Sequence, residues 1–359
     1  MHDSRGMHRQ GRTAMAAQGT GTPDRTTGST GWKLGAQYLG AAAAWSASFL
    51  FIKVAVTGMG PGQLVVGRLT AGAVTLAAIM LVTRRRWPRG LEVWLHLTGI
   101  GAVMCVFPFL LFSWAAERLP SSLSSIYNGT TPIMTMLVAL AFLPEERLTR
   151  AKLSAFLVAA AGVVLVAAPW NAMDSSHGDL LLAGLACLGG TVCYGFGFVL
   201  TRRFQRTSPY DALTVTASQI GAGALLSIAL SPVIASGPLS ITPAVAASTI
   251  VLGAIGTGIA YVWYANVINA WGATIASTVT YLTPLGGVLL GTVFLAETVT
   301  VREIAGGLVV VLAVLVSQGR LRVPSRNSAP TDRRTTRPDR TAPTRPPVSS
   351  AISRAPWGP

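Results

Sequence analysis

Acidic residues are scarce in this chain: 13 Asp and Glu stand against 28 Lys and Arg in 359 residues. Those near apolar stretches, Glu92, Glu117, Asp179, Asp211, Glu297 and Glu303, fall at the edges of the stretches and never in the middle. A proton relay built on a membrane-embedded carboxylate is therefore not expected. Nor is a pump for organic cations, which would want a buried anion to meet its cargo. Uncharged, zwitterionic or anionic solutes fit the composition better. Cysteine is equally sparse. Cys105, Cys187 and Cys193 are odd in number, lie in apolar sequence and form no C-x-x-C pair, so neither a disulfide framework nor a zinc site is indicated. Walker A, H-E-x-x-H and nucleophile-elbow patterns are all missing. With loops too short for a soluble catalytic domain, neither an enzyme nor ATP-driven transport by this chain alone is expected, and no cofactor or metal is implied.

What the chain has instead is apolar sequence, with 51% hydrophobic and only 11% charged residues. That lies well outside the balance of a soluble domain and requires apolar side chains to face lipid. Residues 1–34 and 319–359 are the exception, being polar and rich in Pro, Ser, Thr and Arg. They lack the means to bury a core and are expected to be disordered cytoplasmic tails whose basic residues lie near anionic lipid. A net charge of +15 would raise nucleic acid as a partner for a soluble protein. Here cations flanking hydrophobic spans account for the charge, and no nucleic-acid partner is expected.

Crossing about 30 Å of hydrocarbon takes roughly 20 helical residues. The sequence offers ten such stretches, near 36–56, 62–82, 94–115, 121–143, 152–169, 179–200, 212–234, 244–266, 272–295 and 302–318. No secretory signal precedes them, so the N-terminus is expected in the cytoplasm and, with ten crossings, the C-terminus also. The cations segregate accordingly. The five cytoplasmic segments hold 24 of the 28 Lys and Arg, including Arg84, Arg85, Arg86 and Arg89, then Arg147, Arg150 and Lys152, then Arg202, Arg203 and Arg206. External loops hold only Arg118 and Arg302, and Lys53 and Arg68 lie within spans. Arg outnumbers Lys by 25 to 3 alongside heavy Ala and Gly usage, which points to a GC-rich bacterial genome and a bacterial cytoplasmic membrane.

Shifted by 152 residues, the chain matches itself. Gly101 pairs with Gly253, Ser125 with Ser277, Thr131-Pro132 with Thr283-Pro284, and Phe109 and Phe112 with Tyr261 and Tyr264. Phe142-Leu143-Pro144-Glu145 falls on Phe294-Leu295-Ala296-Glu297. Five spans per half is an odd number. A first repeat over 35–170 and a second over 171–318 would therefore enter the membrane from opposite sides, as inverted repeats. The expected fold is an all-α membrane protein of ten transmembrane helices in two inverted five-helix repeats. Such halves exchange conformations to give alternating access around a site near the midplane.

Several motifs in this order resemble the EamA branch of the drug/metabolite transporter superfamily over roughly residues 35–318. They are Trp45 through Lys53 in the first span, Pro61 with Gly67-Arg68 at the second, and the Pro-to-Leu-x-Glu stretches that end spans four and nine. The resemblance implies a ten-helix permease exporting an amino acid, another metabolite or a drug-like solute. In the first half Glu145 and Glu146 both compete for the family's glutamate: the repeat selects Glu145, the adjacent Arg147 favours Glu146.

Candidate residues follow from the cost of polar groups in lipid. Lys53 and Arg68, ionisable and within spans, are candidates for substrate contact, with snorkelling to the interface as the alternative. Thr257, Tyr261 and Tyr264, at i, i+4 and i+7, share one helical face and can line a cavity or bond neighbouring helices. Tyr127, Asn128 and Thr131, with Thr280, Tyr281 and Thr283, adjoin the repeated prolines, and Trp45, Phe109 and Tyr194 complete the set facing a small-molecule substrate. Pro132 and Pro284 interrupt the helical ladder and are candidate hinges. Glu145, Glu146 and Glu297 are candidate gating clamps through ion pairs. A receptor or assembly factor on the same scaffold, without transport, is the alternative reading. Nothing in the sequence specifies an oligomeric state.

Overall fold

Hydropathy marks where lipid begins, whereas helices continue as long as the backbone is satisfied and the residues permit. The computed structural model describes residues 26–144, 146–168 and 175–318, without the side chains of 26–30, 175–177 and 273–274. Glu145, most of the N-terminal tail and all of 319–359 lie outside the described residues. Within them every regular element is helical. The order begins α1 (Thr26–Ala55), α2 (Pro61–Val82), α3 (Leu91–Gly101), α4 (Phe107–Ala116), α5 (Ser121–Asn128), α6 (Thr131–Phe142) and α7 (Arg150–Ala167). It continues with α8 (Ser175–Thr207), α9 (Ala212–Ala229), α10 (Ser231–Ile234), α11 (Pro243–Val251), α12 (Ala260–Trp271), α13 (Ala273–Ala276), α14 (Val279–Leu295) and α15 (Val301–Ser317). A π-helical segment, Ala102–Val106, joins α3 to α4 in one rod, and a second, Leu252–Ile259, joins α11 to α12.

Among the described residues seven helices are long and apolar enough to cross a membrane: Gly31–Ala55, Pro61–Val82, Leu91–Ala116, Arg150–Ala167, Gly178–Thr207, Ala212–Ala229 and Pro243–Trp271. The other three apolar stretches differ for local reasons. The fourth is split between α5 and α6, because Pro132 lacks an N–H and sits in the first turn of α6, where none is needed. The ninth is split at Ser277–Thr278, leaving the apolar α14 with 17 residues, and α15 also has 17. Elsewhere helices outrun the apolar sequence. α1 starts at Thr26 rather than near 36, and α8 continues through Arg202, Arg203 and Arg206, because arginine is a good helix former whatever its polarity. Side-chain caps set several starts: Thr149, Asp211, Thr242 and Thr300 each accept a backbone N–H of the helix they precede. Such caps contribute typically ~1 kcal/mol each.

The interior is closely packed and the exterior is greasy. Leu69, Leu76, Met80, Ile100, Met104 and Ile220 form a buried cluster between α2, α3, its π extension and α9. Val74, Leu81, Leu157, Leu185, Leu225, Leu289 and Leu312 project outward, exposed. A continuous apolar exterior of this kind belongs against lipid rather than water.

Packing between the parts before and after residue 170 is reciprocal. α1 packs on α14 while α8 packs on α6, and α4 packs on α8 while α12 packs on α1. α2 packs on the second π segment while α3 packs on α9. α2 with α9 and α7 with α15 pair across the middle. Moving Ala102–Val106 along by 152 residues puts it at 254–258, inside the second π segment. Two close backbone approaches obey the same exchange. A Cβ on Gly101 would lie 2.3 Å from the Gln219 carbonyl oxygen of α9, and one on Gly253 would lie 2.5 Å from the Arg68 carbonyl oxygen of α2. Small residues let membrane helices meet backbone to backbone in this way.

Hydrogen bonds and ion pairs sort the links into two sets. Arg85 pairs with Asp211 at 2.6 Å, Glu146 bridges Lys152 at 2.8 Å and Arg202 at 3.6 Å, and Arg203 donates to the Phe142 carbonyl. These join the ends of α2, α6 and α8 to the starts of α7 and α9. The hydrogen bond from Lys152 holds the Glu146 carboxyl below its ordinary value, aided by the charges of Lys152 and Arg202. In the other set Ser240 N–H donates to the Gly58 carbonyl, and Gln63 Nε2 donates to the carbonyls of Ala235 and Gly237.

Candidate functional site

A guanidinium is hard to bury, so its surroundings indicate what it is for. Arg68 is the eighth residue of α2 and is only 7% exposed. Its Nε donates to Thr257 Oγ1 at 2.9 Å, and its Cζ sits 3.7 Å from the centre of the Phe109 ring, a cation–π contact. Thr257 is available because it lies in the π segment, where its hydroxyl donates five residues back to the Leu252 carbonyl at 3.0 Å and accepts from Arg68.

Arg68 forms part of the wall of a cavity of about 130 Å³. α1 contributes Trp45, Ser48, Phe49 and Ile52; the first π segment and α4 contribute Met104, Phe109 and Phe112; α5 and α6 contribute Asn128 and Thr131. From after residue 170 come Tyr194 and Phe198 of α8, Tyr261 of α12, and Thr280 and Thr283 of α14. The lining therefore joins both parts of the chain. Three pairs within it are related by the displacement of 152 residues: Phe109 with Tyr261, Asn128 with Thr280, and Thr131 with Thr283. Among the described residues the lining includes one cation and no carboxylate.

Aromatic contacts hold the wall in shape. Trp45 meets Tyr261 edge-on at 5.6 Å and Tyr264 at 5.0 Å, while its indole N–H donates to the Gly256 carbonyl at 3.1 Å. Phe112 lies between Phe49, at 5.9 Å, and Tyr194, at 6.1 Å. At the break between α5 and α6, Pro132 cannot bond the Asn128 carbonyl. Thr131 Oγ1 donates to that oxygen instead, at 2.7 Å. Pro284 lies inside α14, and its own carbonyl accepts from Ser125 Oγ of α5 at 3.3 Å. The two repeated prolines thus occupy different local structures, one at a helix start and one within a helix.

Other candidates stand apart from the cavity. Lys53 Nζ donates to the carbonyls of Ala116 and Leu119 at 2.7 and 3.0 Å, capping the end of α4. Glu297 accepts from the backbone N–H groups of Ser121 and Ser122 at 2.6 and 2.9 Å, capping the start of α5. The short link between α4 and α5 is thereby gripped at one end by α1 and at the other by Glu297, two residues after α14. Ala296, left-handed at φ 51°, turns the chain to aim Glu297, and Gly291 leaves room for its carboxylate. Burial pushes the Glu297 carboxyl up, and the hydrogen bonds from Ser122 and Ser121 outweigh this, holding it below the ordinary value. Tyr127 packs on Gly184 in a buried cluster with Phe49, Phe112 and Cys187, Tyr264 lies behind Trp45, and Tyr281 packs against the Ile133–Ala155–Val314 cluster. Glu146 sits in the ion-paired link before α7, and Glu145 lies outside the described residues.

Ser48, Phe49, Ile52 and Phe112 line the cavity without having been sequence candidates. The signals were present for these four: Ser48, Phe49 and Ile52 follow Trp45 at helical spacing, and Phe112 follows Phe109 at i+3. Nothing in the sequence singles out Met104 or Phe198.

Comparison with known proteins bears on the same region. The model of the EamA-like transporter family matches residues 34–168 and 181–318. A probable terminal-alkyne amino-acid exporter of Streptantibioticus cattleyicolor is 24% identical over 76% of this chain and 89% of its own length. Protein PecM of Dickeya dadantii is 24% identical over 67% of this chain and 79% of its own. The uncharacterized inner membrane transporter YedA of Escherichia coli K12 is 24% identical over 79% of this chain and 90% of its own. A solved crystal structure superposes with a TM-score of 0.54 at 20% identity, over 80% of this chain and 97% of its own, a likeness of fold alone.

Proposed function

The chain belongs to the EamA-like transporter family and is a multi-pass membrane protein, and on that premise we propose a secondary transporter that exports a small organic solute by alternating access. The cavity carries this reading: it lies where the two parts of the chain meet, and repeat-related pairs of side chains line it. Its volume of about 130 Å³ falls below the roughly 300–1,000 Å³ of drug-sized ligand sites, which favours a small metabolite.

The proposed scaffold has ten crossings in two inverted halves, 35–170 and 171–318. Three observations support it: the family model matches two successive stretches, the helix packing is reciprocal, and the two π segments fall at corresponding places. The arginine-rich links at one end, against few cations at the other, support cytoplasmic termini in a bacterial cytoplasmic membrane, with the basic tails near anionic lipid. Export is supported by the S. cattleyicolor relative, a probable terminal-alkyne amino-acid exporter. In this scheme Pro132 and Pro284 act as hinges, and Glu297 and its first-half counterpart, Glu145 or Glu146, clamp the two ends in turn.

Purified protein reconstituted into lipid vesicles tests the reading. Saturable, competitor-sensitive exchange of a metabolite from an amino-acid and organic-acid panel is expected. Binding of a panel member without any movement across the bilayer would instead support a receptor on the same scaffold.

A further inference from the structure

Arg68 has more donors than this structure uses. Nε is taken by Thr257 and the flat face by Phe109, yet among the described residues the two terminal nitrogens make no hydrogen bond and no ion pair. Among the described residues no carboxylate lines the cavity that Arg68 borders. A 93% buried cation without an anion is costly to maintain in a membrane protein, so its persistence calls for a compensating ligand. A guanidinium offers paired, coplanar N–H groups at a spacing that matches a carboxylate, and the bond is strengthened in a dry site.

Resting on the transporter reading, we propose that Arg68 binds the carboxylate of the transported solute, which is a small organic acid or amino acid with a planar or unsaturated body. Thr257 and Phe109 fix the guanidinium so that its free edge faces the cavity. Trp45, Tyr194 and Tyr261 supply flat apolar surface for the body of the solute, and the amide of Asn128 supplies a polar contact beyond it. An ammonium group, if the solute carries one, meets aromatic faces rather than an acidic side chain. Organic cations without a carboxylate are repelled by Arg68 and find no counter-ion in the wall.

Binding to purified full-length protein, measured by calorimetry, tests this with matched probes: phenylacetate and phenylacetamide, butyrate and butyramide, L-phenylalanine and its amide. Carboxylates are expected to bind at least about tenfold more tightly than their amides. Arg68→Gln should abolish the preference, and Arg68→Lys should retain part of it, keeping the charge without the fork. Equal binding of acids and amides, an undiminished preference in a folded Arg68→Gln, or no binding by any carboxylate overturns the proposal. Should Arg68→Gln fail to fold, the wild-type preference and Arg68→Lys decide. Flux of the same probes in vesicles separates the two readings. Acids that bind but never cross leave the carboxylate site standing and remove transport; amides that cross while acids neither bind nor compete do the reverse.

Discussion

Arg68 Nε and Thr257 Oγ1, 189 residues apart in sequence, meet at 2.9 Å and tie α2 to the second π segment. The contact depends on local unwinding: the Thr257 hydroxyl donates to the Leu252 carbonyl, five residues back, leaving its lone pairs for the guanidinium. A π segment inside a helix is a common device for re-aiming one side chain at a functional site.

Thr257→Val keeps the shape and removes the acceptor. An unsatisfied buried donor costs about 1–3 kcal/mol, so thermal unfolding in detergent should move down by a corresponding margin. Thr257→Ser should restore most of it. Solute binding should weaken in Thr257→Val even at temperatures where the protein remains folded, because the guanidinium is no longer held.

Gly253→Ala places a methyl 2.4 Å from Ala71 Cβ and 2.5 Å from the Arg68 carbonyl oxygen, neither of them able to swing away. Overpacking of this kind costs typically 1–3 kcal/mol. Gly101→Ala should behave alike, against the Gln219 carbonyl. Gly189→Ala, whose nearest neighbour is a Leu111 methyl at 3.6 Å, is the control and should melt within a degree or two of the parent.

Ala296 is left-handed at φ 51°, a conformation that costs an L-residue roughly 1–2 kcal/mol. Ala296→Gly should therefore raise stability by about 0.5–1 kcal/mol, read as a higher melting temperature with transport retained. Its repeat partner Pro144 is confined to negative φ, so the equivalent turn in the first half must be built differently.

The Glu297 carboxyl lies below its ordinary value in the folded protein. Its hold on Ser121 and Ser122 is therefore fully present above the ordinary carboxylate value and is lost as pH falls through the lower, folded value. Protease cleavage at Arg118, on the link the carboxylate grips, should rise on acidification in that range. In Glu297→Gln cleavage should be higher at neutral pH and nearly independent of pH; identical pH curves for the two proteins would show that the carboxylate does not secure the link.

That the chain is helical and crosses a membrane was legible because lipid demands long apolar helices, and the displacement of 152 residues relates parts of the sequence without coordinates. The cavity was legible for related reasons: Trp45, Arg68, Phe109, Asn128, Thr131, Tyr194, Tyr261, Thr280 and Thr283 all line it, and six of these form three pairs related by the displacement of 152 residues. What escaped was tertiary. The depth of Lys53 in α1 said nothing of the two carbonyls, more than 60 residues on, that take its ammonium. The i, i+4, i+7 face drawn through Thr257, Tyr261 and Tyr264 assumed regular α-helix, and the π segment turns Thr257 toward Arg68 while Tyr264 packs behind Trp45. Hydropathy also ran through the Gly129–Thr130 and Ser277–Thr278 breaks, since apolar sequence continues across them.

Accessibility of a single cysteine in the cavity tests alternating access most directly. With Cys105, Cys187 and Cys193 replaced by Ala, Asn128→Cys would be exposed to a membrane-impermeant thiol reagent applied to sealed vesicles from one face or the other. Labelling from both faces, slowed from both by the transported solute, is the expected result. Labelling from one face only, unchanged by any solute that the protein binds, would contradict a cavity that opens to each side in turn.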